Sequence, residues 1–450
     1  MSSRSMTRRQ FMKGATAGAA GMALASTGAF ANVQAPRTKP NLLFIHADQQ
    51  HFGAISGLQC PYVHTPNIDR LVERGVTFTQ SYSSNPICCP ARGTWYTGRC
   101  GSETGLVSNE TRMGPAFPDL GQWFSSRGYE AIYSGKWHIP GRDPSTSFRV
   151  MTSDPSGQGE HCDVMVSRSA QAFLADYSGD KPFFLSLGFL QPHDCCYWAF
   201  SNGDSIEKLP YGLTERNLPP LPKNFSTKFV EAQAPAVQTW LGLVKGWVRK
   251  WTPLHWRYYM WSYYRQVEMM DAEIGRVLDA LEDSRFADNT LLVFTSDHGD
   301  ALARRRLIQK WTLYDETARV PLIIVPPGGA KGRLDTSHVI SGLDIAPTLC
   351  DYAGIERMPD ARGASVKPLV DGRSSDWREF VVSEANLTGR MVRTPEYKLI
   401  SYKGEEIDQL FDMRADPWEM RNLAGDAGHA DTLKDLRKML ASWESRLVIS

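Results

Sequence analysis

The sequence predicts an α/β protein in which helices cover both faces of a large, mostly parallel mixed sheet. A small antiparallel sheet and a terminal helix follow it. Continuous apolar runs alternate with amphipathic stretches through most of the chain, which is typical of strands buried on both faces and of their covering helices. From about residue 365 the runs become short and turn residues separate them, as in an antiparallel sheet. A chain of 450 residues is long enough for a large domain and a smaller one.

The first segment, residues 1–31, is predicted to be an export signal. A mildly apolar stretch leads to Ala29-Phe30-Ala31, a typical cleavage site. The segment Thr7–Lys13 resembles a twin-arginine signal, which the twin-arginine export machinery recognises; an ordinary secretory signal is the alternative. We therefore expect cleavage after Ala31 and a periplasmic or secreted protein. The segment has no acidic residue and four basic ones: Arg4, Arg8, Arg9 and Lys13.

The charge balance excludes nucleic acid as the expected partner. The chain has 50 Lys+Arg and 49 Asp+Glu, and loss of the signal leaves 46 basic against 49 acidic residues. Nucleic-acid-binding proteins usually carry a basic excess. No run of about 18 apolar residues occurs, so no transmembrane segment is predicted. Eight cysteines are too few for a disulfide scaffold, and their pairing stays open.

The predicted central strands end at polar residues. Asp48 follows the first apolar run, and Asp297 and His298 follow a later one. In open α/β sheets, ligands bind at the carboxyl ends of the strands, so these side chains are expected to share one crevice. The predicted strands are Leu42–Ile45, Phe183–Leu187, Leu291–Phe294 and Val320–Val325, and the helical candidates are Asn67–Arg74, Leu120–Arg127, Ser167–Tyr177 and Trp256–Leu281.

Three parts are predicted along the chain. Residues 1–31 are the signal, residues 32–364 the catalytic α/β domain, and residues 365–450 an α+β subdomain closed by a helix over His429–Leu447. Residues 195–254 are irregular and rich in proline and aromatic residues, which indicates an insertion on the rim of the crevice. If the ligand is a sugar, Trp198 and the tryptophans within 240–251 are candidates for stacking on its ring.

The segment Cys88-Cys89-Pro90-Ala91-Arg92 is the most informative motif. Taken alone, its cysteines could be buried thiols, metal ligands or a nucleophile whose pKa a nearby arginine lowers. No second Cys/His cluster at zinc spacing accompanies them.

The motif Cys88-x-Pro90-x-Arg92, followed by Thr97-Gly98, resembles the signature of the type I sulfatases of the alkaline phosphatase superfamily. The resemblance extends over nearly the whole chain after the signal. The other segments that carry it are Asn41–Gln50, Thr65–Leu71, Gly135–His138, Thr295–Gly299, Tyr314–Glu316, Arg319–Leu322, Asp344–Leu349, Leu410–Asp412, Asp416-Pro417 and Asn422-Leu423.

The resemblance implies a specific chemistry. A formylglycine-generating maturation enzyme would oxidise Cys88 to an aldehyde. One hydroxyl of its hydrate attacks the sulfur of a sulfate ester and expels the alcohol, and the second hydroxyl then loses its proton as sulfate leaves and the aldehyde is restored. Arg92, Lys136 and Lys310 fall on the positions that hold the sulfate group. His138 matches the residue that orients the hydrate, and His193 matches the histidine beside the leaving oxygen. The implied metal ligands are Asp48, Gln49, Cys88, Asp297 and His298, with Ca²⁺ as the expected ion.

The pairing of Gln49 with His298 departs from the commoner pattern of the family. It resembles choline sulfatase-like enzymes and phosphonate monoester or phosphodiester hydrolases, some of which use Mn²⁺. A histidine ligand makes the site softer than an all-oxygen cage. The sequence thus favours an exported sulfatase acting on sulfated carbohydrate. The alternatives are a phosphorus-ester hydrolase on the same scaffold and an inactive sulfatase-like binding protein.

Overall fold

The computed structural model describes residues 39–153, 157–201, 209, 212–226, 234–373, 376–386 and 388–448. The export signal predicted for residues 1–31 lies outside these ranges, and so does part of the predicted insertion. No helix in the described ranges is both long enough and apolar enough to cross a membrane.

Eight strands form the main sheet, in the order β4-β3-β5-β1-β6-β7-β2-β8. Strand β7 runs antiparallel to both of its neighbours, and the other pairings are parallel. Every residue of the central strands β1 and β5 is buried, which explains their near-continuous apolar sequences. The strands are β1 (Asn41–Asp48), β2 (Val76–Tyr82), β3 (Glu130–Gly135), β4 (Arg149–Ser153), β5 (Phe183–Pro192), β6 (Thr290–Ser296), β7 (Leu322–Val325) and β8 (Arg333–Ser341).

Helices cover this sheet and link its strands. The longest helix packs against β5 and against three of the other helices, and its apolar stripe includes Val267, Ile274 and Leu278. The α-helices are α1 (Pro66–Arg74), α2 (Cys88–Thr97), α3 (Gly101–Thr104), α4 (Leu120–Ser125), α5 (Gly159–Asp176), α6 (Cys195–Ser201), α7 (Pro235–Val248), α8 (Pro253–Asp283), α9 (Asp315–Ala318), α10 (Ile345–Ala353), α11 (Lys367–Val370) and α12 (Ala430–Glu444).

A second, antiparallel sheet follows in the order β12-β11-β10-β9. Its apolar face packs with Leu433 and Leu436 of α12. This arrangement buries the side chains that alternate along the short strands. The strands are β9 (Val381–Ala385), β10 (Gly389–Arg393), β11 (Tyr397–Tyr402) and β12 (Gln409–Asp412).

The predicted fold class is confirmed. The four predicted central strands correspond to β1, β5, β6 and β7, and the antiparallel sheet predicted from the short runs after residue 365 corresponds to β9–β12. The predicted helices lie within or overlap α1, α4, α5 and α8, although α5 begins at Gly159, well before the predicted start at Ser167. Strands β2, β3, β4 and β8 were not predicted. The boundary between the α/β domain and the C-terminal subdomain, placed between residues 364 and 365, stays a prediction.

A buried ion-pair group connects α9 to the antiparallel sheet. Lys398 of β11 pairs with Asp315 and, at 2.8 Å, with Glu419. Burial favours the neutral form of Asp315, but Lys398 and Arg319 outweigh this effect and hold the pKa of Asp315 below its usual value.

We expect Asp315→Asn to lower the free energy of unfolding at pH 7 and to matter less in acid. The pKa of Asp315 is lowered in the folded state, so the carboxylate stabilises the fold fully above its unfolded pKa of about 3.9. That stabilisation is lost as the pH falls through the folded pKa. Urea unfolding between pH 7 and pH 3 measures the gap between variant and wild type. A gap that widens below pH 4 would contradict this assignment.

Candidate active site

Residues predicted to share a crevice lie at one edge of the main sheet. Strands β1 and β6 are parallel neighbours, with Ala47 opposite Ser296. Asp48 is the last residue of β1, and Asp297 and His298 directly follow β6. Parallel strands end at the same edge of a sheet, so these distant residues meet there, fully buried.

Four side chains form a cluster that could hold a metal ion. Ligand atoms of Asp48, Cys88, Asp297 and His298 all lie within 4.8 Å of one another. Burial and the neighbouring Asp48 raise the pKa of Asp297, so a cation beside the two carboxylates would relieve an unfavourable interaction. Carboxylate oxygens suit Ca²⁺, and an imidazole nitrogen extends the range to ions such as Mn²⁺. The donor set therefore fits a divalent cation without identifying it.

Cys88 begins helix α2 and points its sulfur into this cluster. Its Sγ lies 2.7 Å from Nζ of Lys310, 3.3 Å from Nε2 of His298 and 3.9 Å from Oδ1 of Asp48. Burial and Asp48 oppose ionisation, but Lys310 and other cations outweigh them and hold the pKa of Cys88 well below its usual value. Burial instead raises the pKa of the adjacent Cys89. The two neighbouring thiols thus differ, because the pKa of Cys88 is lowered and the pKa of Cys89 is raised.

Arg92 joins the two carboxylates of the cluster. One helical turn after Cys88, its Nε donates to Asp297 at 2.9 Å and its Nη2 donates to Asp48 at 3.1 Å. The side chain is 0% exposed. A planar guanidinium suits two carboxylates in one plane, and here it ties β1 to β6 through α2.

His46 supports Arg92 from behind, a role that sequence analysis did not assign. Nη1 of Arg92 lies 3.3 Å from Nδ1 of His46. Arginine only donates, so we assign the proton of His46 to Nε2, which lies 3.1 Å from the hydroxyl of Tyr96. Burial and Arg92 lower the pKa of His46, in agreement with this neutral form. A histidine within an otherwise apolar, fully buried strand was the signal available in the sequence.

Lys136 reaches the cluster from the end of β3. Its Nζ lies 2.6 Å from Oδ2 of Asp48. The preceding Gly135 has a φ of 99°, and a Cβ there would lie 2.1 Å from the carbonyl oxygen of Gly188. Only glycine allows β3 to turn this closely past β5, and the turn carries the lysine to the carboxylate.

Lys310 lies on an irregular loop that begins after β6. The residues on either side of it, Gln309 and Trp311, both have positive φ values, 65° and 86°. Non-glycine residues in this region are uncommon and strained, and such strain concentrates at functional sites. Burial opposes the charge of Lys310, but Cys88 and Asp48 outweigh it and raise the pKa of the ammonium group.

A cavity of about 650 Å³ opens beside Lys136. His138, His193 and the exposed ring of Tyr197 also line it. Burial, with Lys136, holds the pKa of His193 well below its usual value, and its buried Nδ1 has no hydrogen-bond partner among the described residues. His138 thus lines the cavity next to the cluster, and its side chain is exposed.

Gln49 differs from the other predicted metal ligands because, among the described residues, its side chain forms hydrogen bonds only with residues outside the cluster. Its Nε2 donates to Asp300 at 2.8 Å and lies 3.2 Å from Sγ of Cys195. Its backbone N–H still bonds Asp297 at 3.0 Å. Sequence analysis missed Asp300, although it stands only three residues after Asp297.

In the described part of the predicted insertion, Trp198 and Trp251 pack against other aromatic rings. Trp251 is buried and contacts Trp256, and the ring of Trp198 contacts Trp251 and Tyr258. Tyr197, which sequence analysis did not consider, is the exposed ring on the cavity. All eight cysteines lie in the described ranges, and no disulfide bond joins any two of them.

Comparison with known proteins gives three family matches. The model described as Sulfatase matches residues 40–355, and the one described as N-sulphoglucosamine sulphohydrolase, C-terminal, matches residues 304–446. The model of the twin-arginine translocation pathway signal sequence matches residues 5–25, which indicates export.

Relatives are similar over almost their full length. A Delta 4,5-hexuronate-2-O-sulfatase of Bacteroides thetaiotaomicron is 31% identical, covering 94% of this chain and 92% of the relative. A choline-sulfatase of Rhizobium meliloti is 29% identical, covering 90% and 87%. The solved structure of a 2-O GAG sulfatase aligns with a TM-score of 0.78 at 28% identity, covering 91% and 92%. The phosphonate monoester hydrolase of Agrobacterium radiobacter shares the fold, with a TM-score of 0.77 at 22% identity and coverage of 91% and 96%.

Proposed function

This chain belongs to the sulfatase family, and from that premise we propose that it is an exported sulfatase that acts on sulfated carbohydrate through a formylglycine derived from Cys88. One observation carries the proposal. The sulfur of Cys88 lies inside the buried cluster of Asp48, Asp297 and His298, with Lys310 in hydrogen-bond contact. A structural cysteine has no need of such surroundings, whereas a nucleophile does.

In the mature enzyme, an oxygen of the formylglycine hydrate would stand where Sγ of Cys88 stands now. One hydroxyl of the hydrate would attack sulfur and displace the alcohol of the ester. Deprotonation of the second hydroxyl would then expel sulfate and restore the aldehyde, which water hydrates again. Lys310, 2.7 Å from the present sulfur, is placed to stabilise negative charge on that oxygen. The cationic side chains of Arg92, Lys136 and Lys310 are held in fixed positions before the substrate arrives, so little reorganisation is needed during the reaction.

A divalent cation would be held by Asp48, Asp297, His298 and the group at residue 88, with Gln49 as a further ligand. When bound, such an ion lowers the pKa of a hydroxyl and neutralises sulfate oxygens. Arg92 holds the carboxylates of Asp48 and Asp297 in position for the ion. Lys136 places a positive charge between Asp48 and the cavity. We assign Ca²⁺ as the ion, with Mn²⁺ as the alternative because His298 is a softer donor.

The two cavity histidines have distinct proposed roles. His193 would protonate the leaving oxygen, and His138 would orient the hydrate. Because the pKa of His193 is low, its imidazole is neutral at pH 7 before substrate binds. The negative charge of a bound sulfate ester favours the protonated form, so substrate binding itself would prepare the proton donor.

Sulfated carbohydrate is supported by the relatives and by the cavity. Named relatives include the hexuronate-2-O-sulfatase and an N-acetylglucosamine-6-O-sulfatase of Bacteroides thetaiotaomicron. The volume of about 650 Å³ suits a saccharide, and Tyr197 offers an exposed ring for one sugar face. Export would bring the enzyme to polysaccharide fragments outside the cytoplasm.

Hydrolysis of phosphonate monoesters or phosphodiesters is the second candidate. The observation that favours it is the presence of Gln49 and His298 together at the candidate metal site. In the sequence this pairing resembles phosphonate monoester and phosphodiester hydrolases, and its histidine makes the metal site softer than an all-oxygen cage.

A comparison of ester classes tests the function. We expect a higher kcat/KM for aryl sulfate and for 2-O- or 6-O-sulfated saccharides than for phosphodiesters and phosphonate monoesters. The enzyme must come from a host that contains the maturation enzyme, because unmodified Cys88 would give a false negative. A clear preference for phosphorus esters would overturn the sulfatase assignment and favour the second candidate.

A further inference from the structure

Gln49 is held at nearly every polar atom. It is 0% exposed and has a φ of 71°, in the left-handed region that non-glycine residues rarely adopt. Its N–H donates to Asp297 at 3.0 Å, its carbonyl oxygen accepts from the hydroxyl of Tyr263 at 2.7 Å, and its Nε2 donates to Asp300 at 2.8 Å. A strained conformation persists only where its surroundings over-determine it, and here they do.

One atom of this residue lacks a strong partner. Among the described residues, the only hydrogen-bond partner of Oε1 of Gln49 is the thiol of Cys196, at 3.6 Å. A thiol is a weak donor, and a buried amide oxygen without a good donor is costly. An amide oxygen is, however, a good ligand for a hard cation. Gln49 directly follows Asp48 in the chain and its backbone N–H donates to Asp297, so the residue lies beside two of the candidate metal ligands.

Asp300 determines which end of the Gln49 side-chain amide has no strong hydrogen-bond partner. Its two carboxylate oxygens accept from the hydroxyl of Tyr259 and from the backbone N–H groups of Leu302 and Gln309, at 2.7–3.0 Å, besides Nε2 of Gln49. All four groups donate to Asp300, so its carboxylate oxygens act as acceptors throughout. Rotating the amide by half a turn would place Oε1 against a carboxylate oxygen, which is repulsive.

We propose that Asp300 is a positioning residue that orients Gln49 so that Oε1 is the oxygen offered to the divalent cation. The inference rests on the proposed cation site, and it deepens that site by one supporting layer. Groups that orient metal ligands in this way typically change metal affinity by 10- to 100-fold when they are replaced.

A double-mutant cycle on metal-free protein tests this role. The full mature chain is stripped with a chelator, and Ca²⁺ and Mn²⁺ binding are measured by calorimetry for wild type, Asp300→Asn, Gln49→Ala and the double variant. We expect each single variant to bind about 10- to 100-fold more weakly. The double variant should bind no more weakly than Gln49→Ala alone, because Asp300 acts through Gln49.

Asp271→Asn is the matched control. Asp271 is also a buried carboxylate that accepts backbone and side-chain N–H groups, from Asn67 and Ile68, and it does not contact the cluster. Its replacement should leave cation affinity unchanged. Unchanged affinity in Asp300→Asn, or additive losses in the double variant, would overturn the inference and leave the proposed function intact. A wild type that binds neither ion would overturn both.

A second comparison, in which the amide and carboxylate side chains are exchanged between residues 49 and 300, tests the same role if Asp300→Asn alone does not fold. Gln49→Glu alone sets two carboxylates against each other, whereas Gln49→Glu with Asp300→Asn restores one donor and one acceptor. We expect the exchanged pair to bind Ca²⁺ more tightly than Gln49→Glu alone. Equal or weaker binding by the pair would also overturn the inference.

Discussion

Cys88→Ala is expected to lower kcat/KM for sulfate esters by at least about 10⁴-fold, the scale seen when a covalent nucleophile is removed. The remaining cations would still bind sulfate, but no group at residue 88 could attack it. Steady-state kinetics on an aryl sulfate measures the loss. Cys350→Ala is the control, because Cys350 is an equally buried thiol in α10 outside the cluster, and this variant should keep wild-type kcat/KM.

Mass spectrometry of the peptide that contains Cys88 provides an independent test of the covalent role. Conversion of the thiol to the aldehyde removes H₂S and adds oxygen, which lowers the mass by about 18 Da. We expect that loss in active protein from a host with the maturation enzyme. Full activity with unmodified Cys88, or an active Cys88→Ala variant, would refute the proposed nucleophile.

Arg92→Met is expected to lower the free energy of unfolding of the metal-free protein by about 3–5 kcal/mol, and to abolish activity. The guanidinium is fully buried between Asp48 and Asp297, so its loss leaves two buried carboxylates without this partner. Breaking a buried pair from one side costs this much because the remaining charge stays uncompensated. Chemical denaturation in the presence of a chelator measures the change.

Arg99→Met is the matched control for Arg92→Met. Arg99 lies two residues after the end of helix α2, which contains Arg92, and it pairs with Asp360, whose side chain is 68% exposed. Because the Asp360 carboxylate keeps most of its contact with water, the pair contributes only about 0–1 kcal/mol. We also expect added Ca²⁺ to recover part of the stability of Arg92→Met, since a cation can replace the lost charge. Equal destabilisation by the two substitutions would contradict the proposed bridging role.

Strands buried on both faces were the part of the fold most accessible from sequence. β1, β5 and β6 have no polar alternation, and their apolar runs predicted them closely. The edge strands β4 and β8 carry exposed polar residues, because only part of their surface contacts the core. Their sequences therefore resemble loops, and pairing with β3 and β2 defines them as strands.

The orientation of β7 also depends on its neighbours. The run Val320–Val325 predicted a buried strand correctly, but an apolar run carries no information about direction. Its antiparallel pairing to β6 and β2 follows from the path of the chain after the loop that carries Lys310. That same loop brings the lysine back to Cys88, so topology and site are set together.

By itself, the sequence determined the fold class, the family and the set of residues that could do the chemistry. These are properties of local pattern: apolar runs, the polar residues at their ends and the spacing within the Cys88 motif. Only the tertiary structure decided which of two adjacent thiols lies among cations, that His46 supports Arg92, and that Asp300 holds the amide of Gln49. These contacts join residues far apart in sequence, and burial sets their strength, so no local pattern can specify them.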